Sequence, residues 1–427
     1  MSRGYALLSA GSNARGQLGI GSADDSHIFQ KCSFDGYPPL RLPTQTTRVV
    51  DLVTGANHTI VLLELLDHAG YKREIWGSGD GSKGQLGGLS SHDNGAPLQT
   101  NVFRKIELPL HEAGLRGYSF KSIGATWETS YVALSCEGKS DVVISMGSDD
   151  YGDLGTGGLQ SGHGERIFNV IDFEYLFSEG ESVLKRDRVI INSLTSGQRH
   201  VIIDLRLISC GKDSFEQVVV GWGMSRHGQL GVAGSSIPSI ISTPQIISVS
   251  HQDPIIATSL GFQHSTFLHA SGHVTALGSD RKGQLQIVSD VKAARDVKCT
   301  WNGTYCIVRD GSEWSIISSG SNTHGQLGHE GSSGRVIFPS VVNTMDTSVK
   351  IACGSEHVLS LITSSVPPIS QIWGWGWNEH GNLGLGNTED ATFPVRLCPL
   401  GVDILVEVSG IWAGCGTSWI CCEHREY

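Results

Sequence analysis

Residues Val218–Val232 read VVVGWGMSRHGQLGV: a β-branched run, a glycine at 223, a second glycine at 228, then Gln-Leu-Gly. The same spacing returns as GSNARGQLG at Gly11–Gly19, GDGSKGQLG at Gly79–Gly87 and GSDDYGDLG at Gly147–Gly155. It returns again as GSDRKGQLQ at Gly278–Gln286, GSNTHGQLG at Gly320–Gly328 and GWNEHGNLG at Gly376–Gly384. The second glycines are Gly16, Gly84, Gly152, Gly228, Gly283, Gly325 and Gly381, each five residues after the first.

A second pattern alternates with the first. An apolar run ends in Gly-x-x-His and resumes as apolar residues, with His58, His200, His264 and His357 as the histidines. Three degenerate copies fill the gaps. Glu128, Gly303 and Gly416 stand there in the histidine's place, and Ala125, Thr300 and Ala413 in the glycine's.

Short runs of Val, Ile, Leu, Thr and aromatics bounded by Gly, Asn, Asp and Ser are strands and turns. No stretch carries a long helical period with caps. The expected unit is a small antiparallel sheet of about four strands, and seven such units close as a propeller. The fold class is therefore all-β, a single seven-bladed β-propeller domain over residues 1–427. The chain starts on a strand leading into the first motif and ends on one following the second. The strand near Tyr5–Ala10 is thus expected to pair with the one near Thr417–Cys422 and close the ring. Extra length is expected in loops at Ser22–Val49, Leu89–Phe120 and Gly158–Ile190.

Composition agrees. Gly is 55 of 427 residues, against roughly 7% in an average chain. The glycines follow no Gly-X-Y period, which excludes collagen. Lys+Arg is 31 and Asp+Glu is 42, a net charge of −11, so no broad nucleic-acid footprint is expected. No apolar run approaches a membrane span. The N-terminus lacks a secretory signal, and the ten cysteines are expected as reduced cytosolic thiols. Cys415, Cys421, Cys422 and His424 fit no zinc spacing, so no metal is assigned.

The alternating WG-x-x-x-x-GQLG and G-x-x-H motifs resemble those of the regulator-of-chromosome-condensation repeat family. That resemblance covers nearly the whole chain and implies a seven-bladed propeller. The opening YALLSAGSNARGQLGIGSADD is similar to that of one fungal branch, the alpha-tubulin suppressors. This implies a non-catalytic scaffold or regulatory partner, monomeric or in a heterodimer, in the cytoplasm and also the nucleus. Its implied partner is the small zinc protein of diphthamide synthesis, with a link to Elongator-dependent tRNA wobble-uridine modification. The family's founding activity gives the alternative, guanine-nucleotide exchange on a Ran-like small GTPase, in which Asp149 and Asp153 would belong to an acidic rim that displaces the nucleotide and its magnesium.

No catalytic set is evident. Gly79-x-Gly81-x-x-Gly84 spells a dinucleotide fingerprint, but it is one copy of the repeat with no following helix. The four repeat histidines are expected one per blade, each orienting its own turn, rather than as one site. His227, His324 and His380 are expected to face solvent. The ultraviolet-sensing branch of the family carries Trp within the G-x-x-H turn; only Trp127 and Trp301 occupy a similar place here. No cofactor is assigned. The candidate partner-binding residues are Asp24, Asp25, Asp149, Asp150, Tyr151, Asp153 and Glu379, an acidic rim suited to a basic protein.

Overall fold

The computed structural model describes residues 3–68, 70–87, 99–158, 167–177, 186–209, 215–231, 238–248, 252–336, 338, 346–365, 368–398 and 407–425. They form seven antiparallel sheets, six of four strands and one of three. Each sheet repeats one path. In the first blade an inner strand, Thr46–Thr54, turns into Gly-x-x-His and a second strand, His58–Asp67. A third strand, Gly70–Asp80, runs into the Gln-Leu-Gly loop, and Gln99–Lys105 forms the outer edge.

The inner strands of the next six blades are Ser119–Ala125, Arg186–Ser196, Ile255–Leu260, Ala294–Thr300, Ser348–Cys353 and Glu407–Ala413. They touch one another in chain order, and the last returns to touch Thr46–Thr54, so the ring is closed. Closure uses both chain ends. Arg3–Gly11 pairs with Thr417–Arg425 from end to end, Tyr5 opposite Glu423 and Ala10 opposite Ser418, as the sequence predicts. Ser26–Lys31 is that blade's outer strand. With no open sheet edge between first and last blade, the fold avoids an aggregating template.

The core lies between blades. The second strands are its densest part: His58–Leu63 and His264–His269 are buried throughout. The rings of Trp222, Trp375 and Trp419 are fully buried. Apolar clusters bridge neighbouring blades, as where Ile60 and Leu62 of the first meet Val132 and Ile144 of the second.

The three stretches expected as long loops each hold an outer strand: Ser26–Lys31, Gln99–Lys105 and Asn169–Ile171. Outer strands are half-exposed and carry no continuous apolar run, which is why their pattern reads as loop. The fourth blade has no outer strand among the described residues. There Gln286 replaces the last glycine of the motif, and Ile287, Val288 and Val291 are buried in an apolar cluster with Leu268 and Val274 of this blade and Val297 and Cys306 of the next.

Candidate functional site

Both motifs lie at the same end of every blade and lock to each other. The residue after the first glycine donates its N–H to the carbonyl just before the histidine position. The bonds include Asp80 N to Asn57 O at 2.8 Å, Met224 N to Arg199 O at 2.7 Å, Trp377 N to Glu356 O at 2.9 Å and Ser12 N to Gly416 O at 2.8 Å. The first glycine must be glycine for two reasons. Gly79 has φ of 103°, and a Cβ there would lie 2.3 Å from Asn57 O. The motif glutamine is buried and folds back on its own loop. Gln17 Oε1 accepts from Arg15 N at 2.9 Å, and Gln326 Oε1 from His324 N at 2.9 Å. One face of the ring is thus paved with fourteen interlocked turns.

The four histidines staple blade to blade. His58 Nε2 lies 2.9 Å from Ser130 Oγ, His200 Nε2 3.0 Å from Ser265 Oγ, His264 Nε2 3.2 Å from Thr304 Oγ1 and His357 Nε2 3.0 Å from Ser418 Oγ. Each partner hydroxyl belongs to the following blade. Burial pulls the imidazoles down to about 4 for His58, His264 and His357 and about 3 for His200, so all are neutral at pH 7. They sit apart, one per blade, as the repeat predicts, but their side chains do not hydrogen-bond their own turns as expected: Nε2 bonds the following blade, and Nδ1 has no partner among the described residues.

Two degenerate copies need correction by one residue. Thr129 pairs with Gly147, and Thr417 with Gly11, as His58 pairs with Gly79. The histidine's place is therefore held by Thr129 and Thr417, not Glu128 and Gly416. Correspondingly, Thr126 N and Gly414 N close those turns at 2.8 Å, in the role expected of Ala125 and Ala413. Only the ladder register reveals this, because no histidine marks the copy.

The seven candidate partner residues share the motif face but differ in exposure. Asp24, Asp150 and Glu379 are exposed. Asp25 is engaged: Oδ1 accepts from Asn13 N at 2.7 Å, and Oδ2 lies 2.7 Å from His380 Nδ1 of the preceding blade. His324 and Asp390 repeat that clasp at 2.8 Å, so His324 and His380 are paired rather than merely solvent-facing. Asp149 is half-buried and its Oδ1 accepts from Leu154 N at 2.9 Å, with burial raising its carboxyl. Asp153 is only 3% exposed and points inward, not onto the rim. It stands in the place of the motif glutamine, 3.1 Å from Thr126 Oγ1, and burial pushes its carboxyl up to about 7.

Tyr151 leads to a feature the sequence reading missed. Beside it, a central cavity of about 120 Å³ is lined by all seven blades, with Trp127, Gln198, Trp301 and Ser355, each two places before a histidine position, at its wall. The Arg199 guanidinium lies 4.1 Å from the centre of the Tyr151 ring, 5.5 Å from Phe262 and 5.8 Å from Trp127. Trp301 is 6.2 Å from both Trp127 and Phe262. The available signal was positional: each of these four, Tyr151 apart, precedes a histidine position by one or two residues.

The signature of the regulator of chromosome condensation (RCC1) repeat matches residues 315–361 and 370–420. An RCC1 repeat-containing protein of Schizosaccharomyces pombe, C10F6.04, is 27% identical over 98% of this chain and 99% of its own length. A secretion-regulating guanine nucleotide exchange factor of Bos taurus is 22% identical over 96% of this chain and 81% of its own. Among solved structures, Prp20p of Saccharomyces cerevisiae superposes with a TM-score of 0.67 at 16% identity, covering 100% of this chain and 93% of that one.

Proposed function

We propose that this chain, a seven-bladed propeller of RCC1 repeats, is a non-catalytic scaffold that binds protein partners through its motif face. The observation that carries the reading is the paved face itself. Turns from all seven blades are fixed by their own hydrogen bonds and converge on a central cavity, with Arg199 laid against Trp127 of its wall and against Tyr151 and Phe262. A preformed surface of this kind loses little entropy on binding. Prp20p, of the same fold, has been studied for its binding to Gsp1p and histones.

The finer reading names the partner as the small zinc protein of diphthamide synthesis, with a link to Elongator-dependent tRNA modification, in the cytoplasm and nucleus. It is supported by the likeness of the opening stretch Tyr5–Asp25 to the alpha-tubulin-suppressor branch. The alternative, nucleotide exchange on a Ran-like GTPase, is supported by the likeness to the secretion-regulating exchange factor. The burial of Asp153 removes one of the two carboxylates that reading would use.

Affinity capture of the tagged full chain from its own cell extract, read by mass spectrometry, tests both. Recovery of the zinc protein supports the first and recovery of a GTPase the second. Reproducible recovery of neither strips the scaffold assignment of its named partner. Unchanged nucleotide release from Ran at micromolar propeller removes the exchange reading.

A further inference from the structure

Among the described residues, no carboxylate forms an ion pair with the Arg199 guanidinium. Its three flanking rings come from two other blades, Trp127 and Tyr151 from the second and Phe262 from the fourth. Ring faces attract a guanidinium but leave its in-plane N–H groups unbonded. Its Nε is shut off from solvent and bonds to nothing among the described residues, and no carboxylate there pairs with the group. Next to it, Gln198 Oε1 is also buried and unpartnered, at the wall of the central cavity. The turn carrying Arg199 is fixed in advance by the bond from Met224 N to its carbonyl.

We propose that this mouth anchors an acidic side chain of a partner protein, its carboxylate held by Arg199 and an adjacent apolar side chain laid on Phe262 and Trp301. The proposal deepens the scaffold reading and rests on it. A guanidinium fixed between rings offers a planar fork that matches a carboxylate, and the rings keep water from the pair. Trp, Tyr and Arg are the residues that dominate binding energy at interfaces. Glu128 and Glu356 hold the position of Arg199 in the second and sixth blades, just before the histidine place. Glu356 is already taken up, accepting from Asn302 Nδ2 at 2.7 Å and Gln326 Nε2 at 2.6 Å, so the Arg199 fork is left for a single carboxylate from outside the ring.

The test pans the full chain against a displayed random-peptide library, with Arg199→Ala as counter-selection. Peptides retained by the wild type alone should share an Asp or Glu beside an apolar or aromatic residue. A synthetic capped peptide of that sequence should bind roughly thirtyfold or more weaker to Arg199→Ala, and equally weaker when its acid is changed to the amide. Arg199→Lys keeps the charge, loses the fork and should recover only part of the affinity. Arg199→Met, which keeps an apolar stem between the rings, replaces Arg199→Ala if that variant melts early. Retained peptides without an acid, no retained peptide, or equal binding to the Arg199 variants overturn the proposal. So does a wild-type dimer by light scattering that Arg199→Met abolishes, because the occupant is then a second copy. A captured partner that binds Arg199→Met as tightly as wild type overturns the mouth as anchor while leaving the scaffold reading intact.

Discussion

At His357, Nε2 of a buried imidazole is paired with the Ser418 hydroxyl of the next blade at 3.0 Å. In six of the seven blade-to-blade contacts the histidine and the hydroxyl occur together or are both missing. The residue after the histidine position is Ser130, Ser265, Thr304 or Ser418 wherever the preceding blade has a histidine. The second, fifth and seventh blades lack one; the blades that follow the second and fifth carry buried Val201 and Val358 there, and the blade that follows the seventh carries Thr59, whose hydroxyl donates to Gln17 O at 2.8 Å instead. His357→Ala should cost about 1–3 kcal/mol, because Ser418 loses a buried partner. Adding Ser418→Val should cost less than the sum of the two single changes, as chemical denaturation of the four proteins would show. The same histidines set an acid limit. The unfolded chain takes up their protons from about pH 6.5 downward, whereas the folded chain resists until about pH 4. Their contribution is therefore complete above pH 6.5 and is lost as pH falls towards 4, by up to about 1.4 kcal/mol per histidine per pH unit. Melting curves between pH 7 and pH 4 check this. Asp153 acts in the opposite sense. Its carboxyl is raised from 3.8 to about 7, so its penalty is absent below pH 4 and grows as pH rises to 7. Asp153→Asn should raise Tm at pH 8 and leave it nearly unchanged at pH 4. An equal effect at both would reject the burial argument.

Strands differ in how plainly they are written. The second and third strands of each blade are flanked by the two motifs and packed on both faces, so their apolar runs and their ends are legible. The outer strands, such as Asn169–Ile171, meet solvent on one side and lack that run. The Thr129 and Thr417 positions were displaced by one residue in the reading because pairing, not residue type, defines them. The closing strand Arg3–Gly11 was legible because both termini carried half a blade. Deleting it removes the partner of both Thr417–Arg425 and Ser26–Lys31 and leaves two bare edges. Thermal unfolding of that truncation should be shifted far down or lose cooperativity, and an unchanged transition would contradict closure through the chain ends.

The whole ring carries a net charge of −11, and three acids, Asp24, Asp150 and Glu379, stand exposed on the motif face. If that face meets a basic partner, changing all three to Lys should slow association and reverse its salt dependence, with Tm unchanged. Stopped-flow binding at two ionic strengths reads this, and unaltered rates would place the partner elsewhere. Sequence by itself determined the seven repeats, the bonds inside each blade and the closure by the termini, since these follow from spacing within a short stretch. The tertiary structure alone decided which residues of different blades meet. It turned Asp153 inward, clasped Asp25 to His380, and brought Arg199 between Trp127, Tyr151 and Phe262. The repeat fixes where a residue stands in its own blade. Its neighbours in other blades are set only when the blades have packed side by side around the ring.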